Sequence, residues 1–194
     1  PSLGTHSISK RAARFRAMLA EPDRAEQLRN SLPDTPGTGR FPAIKVTDPG
    51  LPGQVIYRPA DLGALGGTRL GVYAFGNGAC TDYAAHTRLH LLEIASHGYL
   101  VIVPGAIYTG PGAIARPAHL PPAGPNSVLT THAQLCEAIT WALAENARQG
   151  SAYQGKIDPV AIAVSGFSCG GLQAMFKAKD PRVRTVVMMN SGLF

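Results

Sequence analysis

From residue 70 onward, apolar runs without alternation take turns with amphipathic stretches. Leu70-Gly71-Val72-Tyr73-Ala74-Phe75, Tyr99-Leu100-Val101-Ile102-Val103 and Val160-Ala161-Ile162-Ala163-Val164 are continuous apolar segments, and residues 183–189 read as a further strand. A strand that is apolar on both faces is buried on both, the property of a parallel sheet covered by helices on each side. The segments between carry helical periodicity. Leu89, Leu92 and Ala95 mark one helix, stopped by Gly98; Leu135, Ala138, Ile139, Ala142 and Leu143 mark a second, ending near Gly150; a third starts at Cys169. Thr131 with Gln134 is a capping box for the second. The pattern predicts a mostly parallel, doubly wound α/β sheet, whose ligands bind beyond the carboxyl ends of its strands.

Upstream, Ser7 or Ser9 caps a predicted helix with Ile8, Ala12, Phe15 and Leu19 on one face, and Pro22 starts a short turn bearing Ala25, Leu28 and Leu32. Residues 1–40 therefore read as an N-terminal helical arm and residues 41–194 as the core. Residues 33–53 are loop-rich. Within and after them, Ala43-Ile44-Lys45-Val46 and Gln54-Val55-Ile56-Tyr57 read as early antiparallel strands.

Composition narrows the class. With 194 residues, 45% hydrophobic and 15% charged, the chain suits one domain with a sizeable core and excludes a disordered tail or a coiled coil. The 22 glycines and 16 prolines imply many short connections rather than a helical bundle. Part of the net charge of +6 sits in Lys10, Arg11, Arg14 and Arg16, but no recognition motif or interleaved aromatic accompanies it. That cluster reads as a solvated helix face, with no nucleic-acid partner. No apolar run approaches the roughly 20 residues of a membrane span. Cys80, Cys136 and Cys169 lack C-x-x-C spacing, so no metal site is expected, and an odd count leaves at least one thiol unpaired within the chain. Opening on Pro1, the sequence reads as a processed or trimmed product.

The chemistry is concentrated at Gly166-Phe167-Ser168-Cys169-Gly170-Gly171, a G-x-S-x-G at the end of the strongest predicted strand and the start of a helix. In a strand-turn-helix this tight, only glycine two residues before and two after the serine avoids collision, which assigns Gly166 and Gly170 as elbow glycines and Ser168 as nucleophile. The N–H of Cys169 then faces the anionic oxygen of a tetrahedral intermediate. A second donor is expected from Gly76-Asn77-Gly78-Ala79-Cys80 after the first long strand: Ala79, with Gly78 as the fallback. An ordinary Asn-Gly turn is the alternative for that loop.

These segments, together with Ile56-Tyr57-Arg58-Pro59-Ala60-Asp61-Leu62, residues 93–102 and Asp180-Pro181-Arg182-Val183, resemble the N-terminal two-thirds of an α/β-hydrolase of the platelet-activating-factor acetylhydrolase, chlorophyllase or polyester-hydrolase type. Many relatives carry His-Gly before the oxyanion residue, where this chain has Asn77-Gly78. The resemblance implies a serine carboxylic-ester hydrolase that works through an acyl-enzyme at Ser168 on a small-molecule or polymeric ester, without cofactor or metal. It also implies the order Ser, acid, His, yet none of His6, His86, His90, His97, His119 and His132 follows Ser168. The only acid after Ser168 is Asp180, and the family's Asp-Pro marks a turn. The acid and histidine are thus expected from outside residues 1–194, on a further C-terminal segment carrying the last strands or on a second polypeptide; the alternative is a catalytically inactive binding or scaffold protein.

His119 and His132, with Tyr108 and the Gly/Pro-rich residues 104–127, are expected near the acyl pocket. In this fold Cys80 and Cys169 neighbour the two oxyanion donors. A disulfide between them would pin the hole together and imply an oxidising compartment, while the constrained direction of the Cys169 side chain argues against it. Cys136 is expected to be free and buried in either case. A secreted or periplasmic location is favoured over a cytoplasmic one.

Overall fold

The computed structural model describes residues 22–123 and 127–192; the predicted helix around Phe15, with its basic cluster, lies outside them. Helix α1 (Pro22–Ser31) precedes strands β1 (Ala43–Val46), β2 (Gln54–Pro59) and β3 (Leu70–Gly76). A 3-10 turn, Gly78–Cys80, leads toward α2 (Arg88–Ser96) and β4 (Tyr99–Pro104). Then come α3 (His132–Ala147), β5 (Ile157–Phe167), α4 (Cys169–Lys177) and β6 (Thr185–Met189). Among the described residues, no helix is long and apolar enough to cross a membrane.

The six strands form one sheet in the order β1-β2-β4-β3-β5-β6. The β1–β2 and β2–β4 pairs are antiparallel and the remaining three parallel. The chain goes from β3 to β4 on one side of it, then returns across β3 to β5 on the other. This reversal puts a crevice at the carboxyl ends of β3 and β5, where the loops that follow them part to opposite sides.

Side chains of the inner strands alternate between two cores. Ile56, Val72, Ala74, Ile102 and Val164 pack under Leu135, Ile139 and Ala142 of α3 and Ala174 of α4. Tyr57, Tyr73, Phe75, Val101 and Val103 pack under Leu91, Leu92 and Ala95 of α2. The inner stripe of α2 differs from the expected one: Leu89 is half-buried and the stripe begins at Arg88, which is 1% exposed. Its guanidinium donates to the Asp34 carboxylate (2.9 Å) and to the carbonyls of Arg29 (2.8 Å) and Leu32 (2.5 Å), so a cation fills a core position by taking its acceptors from α1 and the loop after it. Leu28 and Leu32 of that segment are 65% and 40% exposed, and the hydrogen bonds from Arg88 tie it to α2.

Strand β5 starts three residues before the apolar run. Ile157 pairs with Leu70, and the ladder resumes only at Val72 with Ile162. Pro159 lies in this irregular stretch, where its missing N–H breaks no regular pairing. At the other side of the sheet, Val186, Val187 and Met188 of β6 are each more than a third exposed, on both faces, and no described strand pairs with its outer edge.

Candidate active site

Ser168 stands between the last residue of β5 and the first of α4, with φ 51° and ψ −118°. A non-glycine residue at such angles costs on the order of 1–3 kcal/mol and persists only where its surroundings enforce it. Here the Ser168 N–H donates to the Met189 carbonyl (2.9 Å), while the Ser168 carbonyl accepts from the Ser191 hydroxyl (2.7 Å) and the Gly171 N–H (2.9 Å). The glycines supply the space. A Cβ on Gly166 would run into the Gly170 backbone, and one on Gly170 into the Gly76 carbonyl, so β3, β5 and α4 meet backbone to backbone beneath the serine.

The loop after β3 is equally constrained. Ala79 and Cys80 have φ of 50° and 48°, two successive left-handed residues neither of which is glycine. Asn77, 3% exposed, donates its side-chain amide to the carbonyls of Thr81 (2.9 Å) and Pro104 (2.8 Å). It therefore staples the loop to the end of β4. Cys80 offers its carbonyl to the N–H groups of Leu129 (2.9 Å) and Thr130 (3.0 Å). Among the described residues, no protein acceptor takes the N–H of Ala79 or of Cys169.

Cys80 and Cys169 are joined by a disulfide, with Cα atoms 5.4 Å apart, linking the oxyanion-side loop directly to the first residue of α4. Cys136 is free but only half-buried, a correction to its expected burial. Its thiol meets the Arg182 guanidinium (3.1 Å), which holds the Asp180 carboxylate at 2.7 Å. That ion pair keeps the Asp180 carboxyl at about 2, below its ordinary 3.8. A carboxyl with a depressed pKa stabilises the fold above its ordinary range, and the contribution fades as pH falls toward the depressed value. Arg182→Met should therefore lower the melting temperature at pH 6, with the gap to wild type shrinking as pH approaches 2. A gap constant across that range would assign the loss to packing alone.

Ser168, Phe167, Gly78, Ala79 and Met189 share a cavity of about 690 Å³. Its remaining wall differs from the expected one. His119 and His132 do not line it, and the His132 ring packs on Phe176 with centroids 5.6 Å apart. Tyr108 stands one layer back, edge-on to the lining residue Tyr83 (5.6 Å), with Arg116 over both rings. Of the described residues in the Gly/Pro-rich stretch 104–127, Ala123 reaches the cavity.

The histidines at the cavity are His86 and His90, with Glu26 and Arg29 of α1 beside them. Burial and the neighbouring Arg29 cation hold the His86 imidazole below its ordinary range, and the Arg29 guanidinium donates to His86 Nε2. Burial also lowers His90, whose Nε2 has no partner, near the ring of Phe75. His86 lies in the turn ahead of α2 and His90 in its first turn, so no helical spacing marked them as a pair in the sequence. Among the described residues, no histidine or carboxylate hydrogen-bonds to the Ser168 hydroxyl. The chain matches no protein-family model, and no curated protein is significantly similar to it.

Proposed function

We propose that this chain is the nucleophile-bearing part of a serine carboxylic-ester hydrolase with the α/β-hydrolase fold. The observation that carries the reading is the backbone of Ser168, strained at φ 51° on the turn from β5 into α4 at the mouth of the crevice. The uncommitted N–H groups of Ala79 and Cys169 support it from either side. In the reaction, Ser168 Oγ bonds to the ester carbonyl carbon and gives its proton to a histidine base. The carbonyl oxygen becomes an anion held by the two N–H groups. Collapse then expels the alcohol, which takes the proton back from the imidazolium. Water, deprotonated by the same base, releases the acid and restores the serine.

The base and its acid come, on this reading, from a segment outside residues 1–194 or from a second polypeptide. The outer edge of β6, which no described strand pairs, with Val186, Val187 and Met188 exposed on both faces, favours a further strand there. A second reading, a hydrolase fold that binds without turnover, is favoured by the lack of a described histidine or carboxylate bonded to Ser168.

A fluorophosphonate probe separates the two. On the full-length protein it should attach to Ser168, identified by peptide mass mapping. An inert Ser168, or an adduct elsewhere, would favour the binding protein.

A further inference from the structure

Helix α4 grips Cys80 from two consecutive turns. Cys169 bonds to it covalently, and Gln173, four residues later on the same face, donates from Nε2 to the Cys80 sulfur (2.9 Å) and the Thr130 carbonyl (2.7 Å). Thr130, 1% exposed, in turn donates its N–H to the Cys80 carbonyl (3.0 Å). A closed ring results, in which Cys80 is held through its side chain, its carbonyl and its neighbour at once.

Gln173 is itself 6% exposed, and its Oε1 is buried with no partner. An orphaned amide oxygen is a cost that an apolar residue of the same volume would avoid. What such a residue lacks is the donor. That donor acts on a stretch whose conformation is costly to maintain, the left-handed pair Ala79 and Cys80.

We infer that Gln173 is a positioning residue for the oxyanion hole: by holding Cys80 and Thr130 it keeps the Ala79 N–H directed at the oxygen that becomes negative. The inference rests on the proposed role of Ser168. Gln173 does not line the cavity, so it acts through the loop and not on substrate. Losing the donor should lower kcat and leave KM unchanged, the mark of an interaction made only in the transition state.

Complete loss of one oxyanion donor costs roughly 10²- to 10³-fold in kcat. With the disulfide still in place, misdirection of the N–H is expected to cost about 10-fold. The test uses the full-length protein, a p-nitrophenyl ester, and two apolar variants of similar volume that lack the donor, Gln173→Met and Gln173→Leu. Both should show the drop in kcat at constant KM. Both should also bind a boronic acid, which places an oxygen in the hole, about 10-fold more weakly.

An unchanged kcat in either folded variant, or a change confined to KM, overturns the inference while the role of Ser168 stands. Failure of both variants to fold, read from melting curves, overturns it as well, since Gln173 would then be a structural residue. Wild-type protein whose Ser168 neither turns over ester nor takes the fluorophosphonate overturns both readings together.

Discussion

Ser168→Ala in the full-length protein is expected to lower ester turnover by roughly 10⁴- to 10⁶-fold, while melting temperature changes little or rises. The two effects have one origin. Ser168 holds a left-handed backbone enforced by Gly166, Gly170 and the Met189 and Ser191 contacts, all made by its neighbours or its main chain. Removing the hydroxyl deletes the atom that would attack the ester and touches none of that support. Stopped-flow hydrolysis of a p-nitrophenyl ester, beside a thermal melt, reads both. Residual turnover above a thousandth of wild type would mean that another group is the nucleophile.

Gly170→Ala is expected to destabilise the fold by about 3 kcal/mol or more, with a fall in melting temperature on the order of 10 °C. Its Cβ would collide with the Gly76 carbonyl and lie 2.8 Å from the Asn77 nitrogen. Both are main-chain atoms of β3 and the loop after it, so neither can swing aside. The helix would have to lift off the sheet, taking Cys169 and Gln173 with it. Gly67→Ala is the control, because a Cβ there meets nothing within 4 Å. Equal melting of the two variants would show that the contact beneath the elbow can relax.

What the sequence conveyed well was local. The buried strands were legible because an apolar run on both faces has one explanation, and the elbow because its glycines answer to atoms a few residues away. Positions that depend on distant chain segments were not legible. Arg88 interrupts an apolar stripe, and its burial makes sense only once acceptors 54 to 59 residues upstream are in place. His86 and His90 reach the cavity because α2 begins beside the end of β3, whereas His119 and His132 were singled out only for flanking the Gly/Pro-rich stretch. The Asn77-Gly78 pair shows a third limit. In the sequence it offers only an Asn-Gly turn, whereas its amide is spent inside the protein on Thr81 and Pro104.

The Arg88 anchor also decides where this chain can be cut. A truncation beginning at residue 41 would remove Asp34 and the carbonyls of Arg29 and Leu32 together, leaving a guanidinium in the α2 core with nothing to receive its protons. It would take Glu26 and Arg29 from the cavity wall as well. Residues 29–34 are therefore part of the folded unit. An expression boundary drawn at the start of the sheet would yield a protein with a wound in its core and its cavity open on one side.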